Sequence, residues 1–438
     1  MVTAARAPST RSARQYRGIS PDISVPETDA ARTVSSISLM RRGNSSSVTI
    51  LKSVRGLYNI NTPKAVIIMK NGKRVTPVVI LRFAIIITLI FSLLSFFITK
   101  IVYDSVFARW DPPTDSLVAD TFSGEEHCFV SEGGIELCGR LFRAADAGKK
   151  SGDAGKTSGA GTDGDAAPDR SDADKNGSAA KSLVIIAPGF HAVGSDYISI
   201  AKELCSHGRD VFVFDPAGSG ESGGDSCFGF ARELFDLNAA VEYTKENFSY
   251  SDVFLLGHSR GAWAVCCSLK YFDGYISGAV AVSALNSPME GIMLPAYEKA
   301  GGIVYLNYPM LLLYQTMLFG ADHANESAAA AVRETEVPVL VIHAENDMLV
   351  PSDSFSLYSH RSEAEREGVE FYTCVDTDGD GHTGILYGAD GSVDAAVFEK
   401  IESFFSDAEG QESENTKRTD IGQDKDGRDR TDAGVYAG

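Results

Sequence analysis

Gly257-His258-Ser259-Arg260-Gly261 has the spacing G-x-S-x-G, in which a serine on a sharp turn between two glycines becomes an exposed nucleophile. A hydroxyl attacks an acyl carbon only when a base removes its proton, and that base needs an acid to orient it. The chain carries the pattern twice, since Gly220-Glu221-Ser222-Gly223-Gly224 also fits. Context separates the two. Apolar Val253–Leu256 precedes the Ser259 copy and Ala262–Tyr271, of helical period, follows it, so Ser259 is expected on a strand-to-helix turn. Ser222 lies in a Gly/Ser/Asp stretch with no strand directly before it and reads as a loop serine.

Acid and base are expected downstream of the serine, each just past a strand end. Asp347 closes the run that begins at Val337, and His382 follows Phe371–Val375 and the loop Asp376–Gly381. The spacings, 88 and 35 residues, leave room for an inserted segment and for one helix. Asp353 is the rival acid. Among other histidines, His343 falls inside a strand, His360 on a charged helix and His323 in the inserted segment. The expected catalytic set is therefore Ser259, Asp347 and His382, which needs no cofactor.

The elements that must hold these residues alternate along the chain. Apolar runs at 183–187, 211–214, 253–256, 278–285, 337–343 and 371–375 read as strands; helical periods fall at 197–207, 231–247, 262–271 and 393–405. Strands apolar on both sides, separated by helices, suit a mostly parallel sheet covered on both faces. Residues 286–336 interrupt the alternation and read as a small helical cap over the strand ends. Its Met293, Tyr297, Tyr305, Tyr308, Leu311–Leu313 and Met317 either line an apolar acyl pocket or simply pack the cap.

With the triad and its elements in place, the chain resembles the α/β-hydrolase superfamily. The likeness is to the monoglyceride-lipase and serine-aminopeptidase-like branch, which includes many bacterial lysophospholipases and esterases. It covers roughly residues 120–406. Phe214-Asp215-Pro216-Ala217-Gly218-Ser219-Gly220-Glu221-Ser222 is similar to that branch's loop after its fourth strand, which accounts for the second G-x-S-x-G. Pro188-Gly189-Phe190 stands where the family has its His-Gly-x oxyanion loop, with proline in place of the histidine and Tyr197 a few residues on. The resemblance implies an oxyanion hole made by the backbone N–H groups of Phe190 and Arg260.

Ahead of this body lies a different kind of sequence. Phe83–Thr99 is uninterrupted and apolar, about 26 Å as a helix; adding Val78–Leu81, with Arg82 snorkelling, approaches the ~30 Å of a bilayer core. The formal charge of −19 divides into +11 over residues 1–82 and −30 over the rest. Basic residues before an apolar helix place that side in the cytosol. The expected organisation is a basic disordered arm (1–75), a transmembrane helix (76–103), a hydrolase domain (115–407) with a disordered insertion (144–180) and the cap (286–336), and a disordered acidic tail (408–438). It implies a single-pass cell-membrane protein, N-terminus cytosolic and catalytic domain extracytoplasmic. Membrane lipids are expected to contact residues 76–103 and the basic arm; the acidic body excludes nucleic acid as its partner.

Asp376-Thr377-Asp378-Gly379-Asp380-Gly381 matches half of a calcium loop, but Tyr387 stands where the bidentate Glu is required, so the loop is read as a metal-free carrier of His382. Cys128 and Cys138 face each other if the hairpin closes at Glu132–Gly134. The combined expectation is a membrane-anchored serine hydrolase that cleaves a carboxylic ester or related acyl bond in a small acyl or lipid-like substrate. An acyltransferase or peptidase on the same fold, or a non-catalytic scaffold, are the alternatives.

Overall fold

The computed structural model describes residues 76–112, 124–144, 182–375, 379–388 and 390–409. The arm 1–75, nearly all of the insertion 144–180, the tail from 410, and Asp376 and Asp378 of the calcium-like loop lie outside the described residues.

Eight strands build one sheet: β1 Glu125–Ser131, β2 Ile135–Phe142, β3 Ser182–Ala187, β4 Asp210–Phe214, β5 Asp252–His258, β6 Gly278–Val282, β7 Val339–Ala344 and β8 Val369–Cys374. Their order is β1-β2-β4-β3-β5-β6-β7-β8, and β2 runs against both of its neighbours while β3 to β8 are parallel. Alternation along each strand divides the core into two layers. Leu183, Ile185 and Leu255 pack with Leu234, Leu237 and Trp263 on one face. Val184, Ile186 and Leu256 pack with Ile200, Leu204, Phe398 and Ile401 on the other. The C-terminal helix, residues 395–409, is pinned there by the buried Arg209 guanidinium, whose Nη2 and Nε reach Glu402 at 2.8 and 2.9 Å.

The helices that position the site and cap are α1 Pro77–Val106, α2 Ile198–Ser206, α3 Arg232–Asn247, α4 Arg260–Ser268, α5 Pro288–Ala300, α6 Tyr308–His323 and α7 Ala328–Glu334, with a 3-10 turn Gly301–Leu306 between α5 and α6. The cap is narrower than the 286–336 expected. Residues Ala328, Ala329, Ala331 and Val332 of α7 are buried in the same layer as Trp263 and Val265, because an alanine face lets α7 close onto α4. Within 286–336, α5 and α6 instead contribute Met289, Met293, Leu311 and Tyr314 to a separate cluster. Helix α1 is long and apolar enough to cross a bilayer, and its most apolar window is exposed.

Candidate active site

Parallel strands bring their carboxyl ends to one edge, so residues just past β5, β7 and β8 converge there. Ser259 follows β5 directly, Asp347 lies three residues beyond β7, and His382 comes after β8. Ser259 adopts φ 55°, ψ −116°, a strained conformation for a non-glycine residue, as it turns from strand into helix. Both flanking glycines are obligatory. A Cβ on Gly257 would sit 2.5 Å from the Gly261 carbonyl, and one on Gly261 would sit 2.1 Å from that of Ala187. Because Arg260 opens α4, its N–H is among the first-turn donors that have no intrahelical acceptor.

His382 Nδ1 lies 2.8 Å from Asp347 Oδ2, with both side chains buried. The other carboxylate oxygen, Oδ1, accepts the N–H groups of Leu349 and Val350 at 2.9 and 2.8 Å. Burial alone would raise the Asp347 carboxyl; the hydrogen bond and charge of His382 and the Val350 N–H outweigh it and hold the group below its usual value. Asp353, the rival acid, is exposed and accepts from Ser354. His343 is buried in β7 with Nε2 2.8 Å from the Val350 carbonyl, 3.6 Å from Asp347. Asp380 Oδ1 accepts the N–H groups of His382 and Thr383, a turn that fixes the start of the histidine loop.

Ser222 has a different environment. It is buried, its hydroxyl donates to the Asp215 carbonyl at 2.6 Å, and it accepts the Cys138 N–H at 2.9 Å, so both roles of its oxygen are used within the loop.

Tyr197, noted near this loop, and His258, which motif spacing assigned no role, join the site's loops. Gly189 N–H donates to the Tyr197 hydroxyl at 2.9 Å, and that hydroxyl lies 3.2 Å from His258 Nδ1. His258 Nε2 in turn lies 3.1 Å from the His382 carbonyl. Burial, then the nearby His382, pushes the His258 imidazole down to about 3, so it stays neutral and can donate through Nε2 while accepting through Nδ1. Tyr197 and His258 thus support the Gly189-Phe190 loop that follows Pro188. His258 was hidden as the variable residue of the motif itself.

Ser259 and His382 line a cavity of about 660 Å³ together with Phe190, Phe230, Leu285, Leu294, Met348 and Trp110. Its cap side is formed by Gly291, Leu294, Pro295 and Glu298 of α5. The cap residues that could have lined an acyl pocket are elsewhere. Met293 and Leu311 are buried against Tyr103 and Phe107 at the end of α1, with Tyr308 and Leu312 packed alongside, while Tyr297, Tyr305, Leu313 and Met317 are exposed. Phe190 and Phe230, which line the cavity, pack against this same cluster, so Met293 and Leu311 back the cavity wall rather than line it. Among the described residues no cluster of ligating side chains could hold a metal.

Residues 178–313 match the family described as serine aminopeptidase, S33. A probable lysophospholipase L2 of Haemophilus influenzae is 32% identical over 124 residues, covering 27% of this chain and 38% of that protein. The chain thus spans well under half the length of that relative. Among solved structures, an esterase of Pyrococcus furiosus has 17% identity and TM-score 0.45, covering 68% of this chain and 98% of its own. Est1E of Butyrivibrio proteoclasticus with ferulic acid bound has 17% identity and TM-score 0.42, covering 65% and 99%. Mostly parallel strands in the order 1-2-4-3-5-6-7-8, a serine on the turn leaving the fifth, and the match over 178–313 identify this chain as one with the α/β-hydrolase fold.

Proposed function

We propose that this protein is a membrane-anchored serine hydrolase that cleaves a carboxylic ester. The observation that carries the reading is the Asp347–His382 contact of 2.8 Å beside a serine held on a strained turn, with Ser259 and His382 opening into one mainly apolar cavity. Asp347 fixes the Nδ1–H tautomer, which leaves Nε2 of His382 to take the Ser259 proton. The alkoxide adds to the acyl carbon. The N–H groups of Phe190 and Arg260 stabilise the resulting oxyanion, His382 returns the proton to the leaving alcohol, and water resolves the acyl-enzyme by the same steps. Leu285, Leu294, Met348 and Phe230 suit an acyl chain better than a charged peptide terminus, which favours ester over peptide. Helix α1 serves as the anchor, with the basic side cytosolic and the hydrolase body outside.

Labelling of membranes with a fluorophosphonate probe, followed by profiling on p-nitrophenyl esters of increasing chain length, tests this reading. Covalent labelling with turnover is expected. A folded protein that takes no label would leave the scaffold alternative.

A further inference from the structure

Residues 300–321, Ala300 through Ala321, contain no Asp, Glu, Lys or Arg, in a chain that is 23% charged. Such a stretch is ordinary inside a core. Here it forms the outer rim of the cap, with Ile303 66%, Leu306 81%, Leu313 47% and Met317 66% exposed. Helix α6 is apolar around its circumference although only Leu311, Tyr314, Gln315 and Phe319 on it are buried. A surface helix of a water-soluble domain normally turns charge outward.

The position of this rim follows from its contacts with α1. Ser95 Oγ donates to Asn307 Oδ1 at 2.6 Å, and Asn307 Nδ2 donates to Thr99 Oγ1 at 2.7 Å. Further along, Tyr103 OH donates to Gln315 at 3.0 Å and Tyr314 OH to Asp104 at 2.6 Å. Ser95 and Thr99 are in the last turns of the apolar run of α1, whereas Lys100 and Asp104 carry the first charges after it. At 1.5 Å per residue the beginning of α6 is therefore level with the outer end of the apolar run, and its middle is level with the charged border. The first half of the exposed apolar rim continues the apolar surface of α1, and its second half, to Leu318, reaches the level of the charged border.

We infer that the 301–318 rim of the cap is a lipid-binding surface that lies in the outer leaflet beside α1 and admits bilayer-dissolved acyl substrates to the cavity. The inference rests on the reading of α1 as a membrane anchor and of the cavity as an ester-hydrolysing site. Tyr297 and Tyr305 of the cap are exposed with ring centres 6.1 Å apart, and amphipathic rings of this kind favour the headgroup level. The occupant is a bilayer, because only a bilayer would cover the rim and the contiguous face of α1 together.

The full chain reconstituted in phosphatidylcholine vesicles tests the inference with three measurements. Alkaline extraction tests the anchor alone; release of the protein would remove that reading and the inference with it. In retained protein, a diazirine on the lipid acyl chain is expected to cross-link within 301–318. No cross-link there, or a cap-to-cap cross-link between two copies, would overturn the inference and leave the anchor standing. Finally, Leu306→Asp with Met317→Asp is expected to lower turnover of a long-chain ester dissolved in the bilayer by about tenfold or more, with water-soluble p-nitrophenyl butyrate unchanged within about twofold. Equal loss on both esters, or no loss on either, would contradict it.

Discussion

The Arg260 guanidinium lies 2.5 Å from the Glu233 carboxyl group, and both side chains are buried beside the candidate oxyanion loop. Arg260 Nη2 also reaches the Gly189 carbonyl at 3.4 Å, and its guanidinium sits 5.6 Å from the centre of the Phe190 ring. Gly189 C=O and Phe190 N–H belong to one trans peptide and point in opposite directions. Holding the carbonyl therefore aims the N–H away from the Arg260 side chain. In the proposed mechanism Arg260 acts twice, its backbone as an oxyanion donor and its side chain as a positioning group.

Arg260→Met should accordingly lower kcat by about tenfold to a hundredfold with KM little changed, since the oxyanion forms only in the transition state. Removing Arg260 also leaves the buried Glu233 carboxyl group without its partner, at about 1–3 kcal/mol of stability, so the informative variant is Arg260→Met with Glu233→Leu. It should recover much of the melting temperature but not kcat. Recovery of both would reduce the pair to a packing role.

Stability should fall at alkaline pH through Glu233. Burial raises its carboxyl from 4.5 to about 8, against the opposing charge of Arg260 and with Asp236 adding to the rise. The folded chain holds this proton more tightly than the unfolded chain. Its contribution is thus complete below pH 4.5 and is lost as pH climbs through 8. Melting temperatures of wild type and Glu233→Gln between pH 6 and 9 check this: the wild type should show the steeper decline, and parallel curves would refute it.

Ser259→Ala should abolish fluorophosphonate labelling, and His382→Ala should reduce turnover by several orders of magnitude, because nucleophile and base act as a unit. Ser222→Ala should still label. It strands the Cys138 N–H and should lose about 1–3 kcal/mol in a denaturant titration. Labelling that survives Ser259→Ala but vanishes in folded Ser222→Ala would exchange the two assignments.

Cys128 and Cys138 are paired across the β1–β2 hairpin, Sγ to Sγ 3.2 Å, both as free thiols. If the body lies outside the cytosol, native protein should carry this bridge, seen as a pair of thiols that alkylate only after reduction. Closing so short a loop should add about 2–3 kcal/mol. Two freely alkylating thiols in protein isolated without reductant would argue for a reducing compartment and against the proposed orientation.

His258 and Tyr197 give a test of loop support. Tyr197→Phe removes the acceptor of the Gly189 N–H and should lower kcat on a short-chain ester by about tenfold, while the Asp347–His382 contact stays intact. An unchanged kcat would show that the Phe190 loop stands without it.

Much of the layout was legible in the chain because the determining forces are local or periodic. Strands buried on both faces must be apolar throughout, so β3 to β7 stand out as runs, and the elbow requires two glycines at fixed spacing whatever surrounds it. The apolar stretch of α1 is equally plain from composition. What the chain alone could not convey depends on which elements meet. Asp347 and Asp353 are the same residue type past the same strand; only the packed loop places Asp347 at His382 and leaves Asp353 in solvent. Glu233 in the first turn of α3 reads as a solvated charge complementing the helix dipole, and only the closure of α3 onto α4 buries it against Arg260. Met293 and Leu311 are apolar enough for an acyl pocket or for packing. The tertiary structure decided for packing, because an apolar side chain has no direction of its own and buries against whichever surface the fold brings to it.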